Sequence, residues 1–124
     1  NTGLKGNGEV NGTDKCLLRE IGKWVKVNRG FIYTAKPTKI SAKNAIILSD
    51  GEKYYAIIKN VGMSADPNVA LSGNQAHVKF TKRIKSAKWL DSDEKIPINE
   101  DNSFVVTPFE YGRSYSARVA EIKI

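Results

Sequence analysis

Cysteine and histidine are almost missing from this chain, with one of each in 124 residues. A lone thiol, Cys16, cannot close a disulfide within the chain, so redox compartment stays open. Cys16 reads as a small apolar residue in the first turn of a helix, since a free cysteine usually packs like one. One histidine and one cysteine cannot supply the four nitrogen and sulfur ligands of a structural zinc site. A Ser/His/Asp or Cys/His nucleophile would rest on His77, and no G-x-S-x-G turn accompanies it. His77 therefore reads as an exposed strand residue, two positions before Lys79. Long apolar runs are missing too. None approaches the roughly 20 residues of a membrane-spanning helix, so no membrane partner is expected. The chain opens on Asn1 with no signal-peptide pattern, which reads as a processed chain or an excised piece.

Phosphate and calcium motifs fail on spacing. Gly6-x-Gly8 ahead of a helix lacks a third glycine at the right place and the βαβ unit of a dinucleotide site. The acidic run Asp91, Ser92, Asp93, Glu94 lacks the glycine and distal glutamate of a calcium loop and reads as a solvated turn. No cofactor and no metal are expected. Asn11-Gly12-Thr13 is a glycosylation acceptor by pattern only, with meaning in a secretory eukaryotic setting. Lysine and arginine outnumber aspartate and glutamate 20 to 13, a net charge of +7. The lysines are scattered singly along strands and turns, where they discourage edge pairing. The aromatics do not interleave with a dense basic patch, so no nucleic-acid partner is expected.

What is there is one domain's worth of ordinary globular sequence. Hydrophobic content is 40% and charged content 27%. Residues 17–33, LLREIGKWVKVNRGFIY, give its strongest amphipathic helix pattern. Leu17, Leu18, Ile21, Trp24 and Val25 form an apolar stripe, with Arg19, Glu20, Lys23 and Lys26 largely opposite. Thr13 or Asp14 can cap the start, and Asn28 and Gly30 can end it. The stripe is expected to dock on the chain's own sheets or on another copy, since each large apolar side chain gains roughly 1.5–3 kcal/mol on burial. The loop ahead of it, residues 1–12, is Gly/Asn-rich and reads as flexible on composition.

After the helix come short strands separated by turn residues. Residues 31–34 read as the first strand, broken by Pro37. Residues 45–49 and 53–59 make the clearest hairpin, with Asp50-Gly51 suited to a two-residue turn. Tyr54, Ala56 and Ile58 face one way and Tyr55 and Ile57 the other, the pattern of a central strand or of one covered on its second face. Residues 69–71 read as a short edge strand within a loop. In 76–81, Ala76, Val78 and Phe80 point inward. Residues 82–90 follow, with Ile84 inward. Pro97 places 95–99 at an edge, and 104–107 follow an Asp-Asn-Ser turn. In 115–124 the apolar phase changes, which a bulge near Ala120 and Glu121 would reconcile. This spacing predicts a mainly β fold: an antiparallel β-sandwich of about eight strands preceded by one amphipathic α-helix.

Residues 17–33 also carry a family resemblance. LLREIGKWVKVN followed by IY resembles the junction of α-L-fucosidases, glycoside hydrolase family 29. There a helix ending a (β/α) barrel leads through an Asn-Gly-Glu-x-Ile-Tyr turn into a C-terminal β-sandwich. Asn28, Ile32 and Tyr33 match that turn; Arg29 and Gly30 replace its Gly-Glu. Asn1-Thr2-Gly3-Leu4 followed by Gly6-Asn7-Gly8 resembles the family's Asn-x-Gly-Pro…Asp-Gly loop, with Leu4 for the proline. The resemblance covers residues 1–33; beyond them it is one of strand order.

The resemblance implies a division into 1–29, loop and helix from the end of a barrel, and 30–124, the sandwich. It implies that this is the non-catalytic C-terminal portion of a retaining glycosidase that releases fucose from glycans. Its two carboxylates would lie in the barrel, so the chain alone is expected to be inactive. The implied partners are that barrel and, in the intact enzyme, a fucosylated glycan; the implied location is periplasmic or secreted. The loop would follow the last barrel strand at the face where barrel active sites sit. There Asn1, Thr2 or Lys5 would either line the sugar pocket or cap the barrel. Trp24 reads as a packing residue, while Trp89 and Tyr111, near strand ends, are the candidates for stacking on a sugar, with core or rim packing as the other reading. A stand-alone carbohydrate-binding module is the alternative function. An interaction domain that self-associates through the face of residues 17–25 is another.

Overall fold

A computed structural model of the chain describes residues 3–61, 63–64, 75–106, 109–110 and 117–124. The helix α1 runs Gly12–Ile32. Asn11 caps it: its Oδ1 accepts from the Asp14 amide at 2.9 Å, and its Nδ2 donates to the Asp14 carboxylate at 2.6 Å. The cap therefore lies ahead of the expected Thr13 or Asp14. Asp14 instead sits in the first turn, where a negative charge meets the positive end of the helix dipole. The preceding loop is closed rather than loose, with Leu4 bridging Val10 and the Lys5 amide donating to the Glu9 carbonyl at 2.8 Å.

The helix also outruns its expected stop. Asn28 and Gly30 both stay helical, and Phe31, expected to open a strand, is 2% exposed in the last turn. A glycine inside a helix costs about 1 kcal/mol. Burying one phenylalanine returns more than that. The turn that the resemblance implied at Asn28, Ile32 and Tyr33 is thus the final helical turn, with Tyr33 as its cap.

Nine strands follow among the described residues: β1 Lys36–Pro37, β2 Ala45–Ser49, β3 Tyr54–Ile58, β4 Met63–Ser64, β5 Ala76–Lys79, β6 Ser86–Trp89, β7 Ser103–Val106, β8 Phe109–Glu110 and β9 Arg118–Lys123. Five form one antiparallel sheet in the order β1-β2-β3-β9-β6. Strands β5 and β7 pair antiparallel, and β4 and β8 pair parallel. Pro37 does not break a strand but sits in the edge strand β1, where its missing N–H is tolerated. The expected strand at 69–71 lies outside the described residues.

The five-stranded sheet and the β5–β7 pair enclose the main core. Ile47, Ala56, Ile58, Ala120 and Ile122 come from the sheet, and Ala76, Val78, Phe104 and Val106 from the pair. The sheet's other face carries a second cluster, Tyr55 and Val119 with Phe31 of α1. The chain is thus a β-sandwich preceded by a helix that lies on the outer face of one sheet. This layering explains the phase change in β9 without a bulge. Its ladders to β3 and β6 run in unbroken register. Val119 serves the helix side while Ala120 and Ile122 alternate with the main core. The β2–β3 turn differs as well. Ser49 pairs with Tyr54, so the loop spans 50–53 rather than two residues, with Gly51 at φ +101°.

Candidate functional site

The feature most suggestive of function is the long face of α1. Leu17, Ile21, Trp24, Asn28 and Phe31 recur at alternating steps of four and three, so they form one continuous stripe. Its second half is seated on the sheet. Phe31 stacks on Tyr55 with ring centroids 5.0 Å apart. The Trp24 indole N–H donates to the Ala117 carbonyl at 2.7 Å, tying the helix to the start of β9. Asn28 is buried between them and donates to the Trp24 carbonyl at 2.8 Å, while its Oδ1 has no partner among the described residues.

The first half of the stripe is uncovered. Leu17, Leu18 and Ile21 are 58%, 50% and 57% exposed. The expected docking of residues 17–25 on the chain's own sheets therefore fails for the first three apolar positions. Only Trp24 and Val25 are half-buried. Cys16, expected to act as a small apolar residue in the first helix turn, is exposed on the same stretch of helix. The cause is position along the helix: contact with the sheet begins at Trp24, and Leu17 lies seven residues, or roughly 10 Å, before it at 1.5 Å per residue.

Two of the candidate sugar contacts fall within the described residues, and they lie on different elements. Lys5 is exposed in the N-terminal loop and faces Glu9 at 4.0 Å. Trp89 is half-buried in β6 and packed against the main core, with the Arg118 guanidinium 4.1 Å above its ring. Two parallel hydrogen bonds of 2.7 and 2.6 Å from Arg118 to Asp91 hold that guanidinium in place. A sugar stacking on this ring would have to displace Arg118 or use the rim. Asn1, Thr2 and Tyr111 lie outside the described residues. The acidic turn is occupied by its own neighbours: Asp91 takes Arg118, Asp93 takes Lys88 and Glu94 takes the Ser92 hydroxyl.

Solved structures share this fold. α-L-Fucosidase isoenzyme 1 from Paenibacillus thiaminolyticus superposes with a TM-score of 0.69 at 22% identity, over 99% of this chain and 29% of that one. Two GH29 α-L-fucosidase structures from Bacteroides thetaiotaomicron give TM-scores of 0.66 and 0.65 at 17% identity, over 99% of this chain and 27% of theirs. One of these is a trapped covalent intermediate in complex with 2-fluoro-fucosyl fluoride. The fold is that of part of an α-L-fucosidase. The chain spans less than a third of the length of the fucosidases it matches. Its sequence matches no family model and no curated protein.

Sequence reasoning missed Asn28 and Phe31 as docking residues because it took Asn28 as a helix stop. Continuing the four-three spacing past Val25 would have found both. It also missed Asn102, which adopts φ +64°; its place in an Asp-Asn-Ser turn was the signal the sequence offered.

Proposed function

We propose that this chain is the non-catalytic β-sandwich portion of an α-L-fucosidase-like glycoside hydrolase, seated on the enzyme's catalytic barrel through the first half of α1. The observation that carries the reading is the stripe that continues past the sheet. Leu17, Leu18 and Ile21 prolong a buried seam yet are at least half exposed. Covering each would gain roughly 1 kcal/mol or more. The fucosidases of like fold have more than twice as much further chain to supply the cover. In the intact enzyme the loop with Asn1, Thr2 and Lys5 would lie at the mouth of the fucose pocket, and the retaining pair of carboxylates would come from the barrel.

The test is made on the gene. A reading frame that continues ahead of Asn1 into a barrel is expected; a start codon immediately before Asn1 would overturn the reading. With the longer protein in hand, hydrogen exchange around residues 17–21 should slow relative to the isolated chain. Leu17→Glu with Ile21→Glu should lower the Tm of the longer protein and leave that of the isolated chain within a degree or two. A second reading rests on the same stripe. If the isolated chain forms a dimer that Ile21→Glu dissolves, self-association through this face is the better account.

A further inference from the structure

A cleft of about 590 Å³ opens at the end of the β5–β7 pair, a volume within the range of small-molecule sites. Arg83 and Ile84 line it from the segment after β5, and Ile98, Asn99 and Glu100 from the segment before β7. Asn102 fastens the two segments together. Its Nδ2 donates to the carbonyls of Phe80 and Lys82, and its Oδ1 accepts from the Ile84 amide at 2.7 Å. The left-handed backbone at Asn102 aims the side chain across the gap, a conformation asparagine adopts more readily than most residues. The two walls are therefore held at a fixed separation before any ligand arrives, which lowers the ordering cost of binding.

The cleft carries one exposed charge of each sign, Arg83 and Glu100. Lys5, Lys23, Lys53, Lys79, Lys88 and Arg118 all pair with carboxylates. Arg83 and Glu100 line one cleft, yet their side chains form no ion pair or hydrogen bond with each other or with another described residue. Ile84 is buried and Ile98 half-buried between them. A guanidinium offers only donors and a carboxylate only acceptors. Together, beside the partly exposed Ile98, they match a ligand with hydroxyls on one edge and C–H groups on one face.

We propose that this cleft binds a neutral saccharide unit, with a ring face on Ile98 and hydroxyls shared between Arg83 and Glu100. A zwitterion would meet the same two charges; the choice of a sugar rests on the functional reading above. The test is an NMR titration of the 124-residue chain with L-fucose, with D-galactose and, separately, with free L-lysine. Amides of residues 81–84 and 98–102 should shift with at least one sugar and not with lysine. Arg83→Ala and Glu100→Ala should each weaken that response about tenfold, as expected for losing a hydrogen bond to a charged group. Should Arg83→Ala fail to fold, Arg83→Lys replaces it: the charge stays, the planar fork goes, and the affinity should still fall. The proposal is overturned by no shift with either sugar, by shifts centred elsewhere, by an equal response in the variants, or by a response to lysine alone. None of these outcomes bears on whether residues 17–21 are covered by a barrel, which the exchange experiment decides separately.

Discussion

Asp50 organises its hairpin through one carboxylate. Its Oδ1 accepts from the amides of Glu52 at 2.9 Å and Lys53 at 2.8 Å, and its Oδ2 accepts from the Tyr55 hydroxyl at 2.7 Å. The Lys53 amide, then the Tyr55 hydroxyl, hold the carboxyl below its usual range. Burial pushes the Tyr55 hydroxyl up, and its bond to Asp50 pushes it further. A depressed carboxyl stabilises the fold above its unfolded value of about 3.9, and that contribution is lost as pH falls through the folded value. Asp50→Asn should therefore flatten stability below about pH 4, measured by thermal melts against pH. Asp50→Ala should cost about 1 kcal/mol at neutral pH, because it leaves turn amides and a buried phenol without their acceptor. Asn28 behaves in the opposite way. Its Oδ1 is buried with no donor among the described residues, a state that costs free energy in the folded chain. Asn28→Leu should leave the melting temperature unchanged or raise it, provided the new side chain fits the seam.

At the scale of elements, α1 is one helix with two energetic halves. Phe31 touches Tyr55 and is buried, so Phe31→Ala should destabilise the chain by about 3–5 kcal/mol, as large-to-small changes in cores do. Leu17→Ala, on the same stripe, should fall within about 0.5 kcal/mol in the isolated chain, as surface changes do. Chemical denaturation of the two variants measures the contrast. The helix itself was legible because its apolar period is strong, and the hairpin of β2 and β3 was legible from its two-faced alternation. Where the helix ended was not. Local propensity marks Asn28 and Gly30 as a stop, whereas the contact of Phe31 with Tyr55, twenty-four residues away in sequence, keeps the helix going. The phase change in β9 was visible, but its cause was not, since a sequence does not say that a helix covers the outer face of a sheet. The cleft was illegible for a similar reason. Arg83 and Glu100 are ordinary surface charges until Asn102 brings their segments together.

Taken as a whole molecule, the chain has the fold of part of an α-L-fucosidase, and several of its described carboxylates are tied to basic side chains. Retaining hydrolysis needs two carboxyl groups about 5–5.5 Å apart, one of them available as a nucleophile and the other able to hold a proton. Here Asp91, Asp93 and Glu121 each form an ion pair with a lysine or arginine, and the Ser103 hydroxyl, then Lys79, hold the Asp101 carboxyl below its usual range, which disfavours an acid role for it. Asp50 is committed to its turn. Glu100 lines the cleft, and among the described residues no second carboxylate lines it. The isolated chain should therefore release no nitrophenol from a nitrophenyl α-L-fucoside above the buffer rate, and the longer protein should do so. Turnover by the isolated chain that persists through repurification and falls in Glu100→Gln would place a reactive carboxylate in the cleft, and the division of labour between sandwich and barrel would have to be abandoned. With the isolated chain inactive and the longer protein active, Leu17→Glu with Ile21→Glu gives the finer test. If the sandwich braces the barrel through α1, these changes should shorten the active protein's half-life on heating. Their effect on kcat before heating should be smaller, because the stripe holds the two parts together and touches no reacting atom.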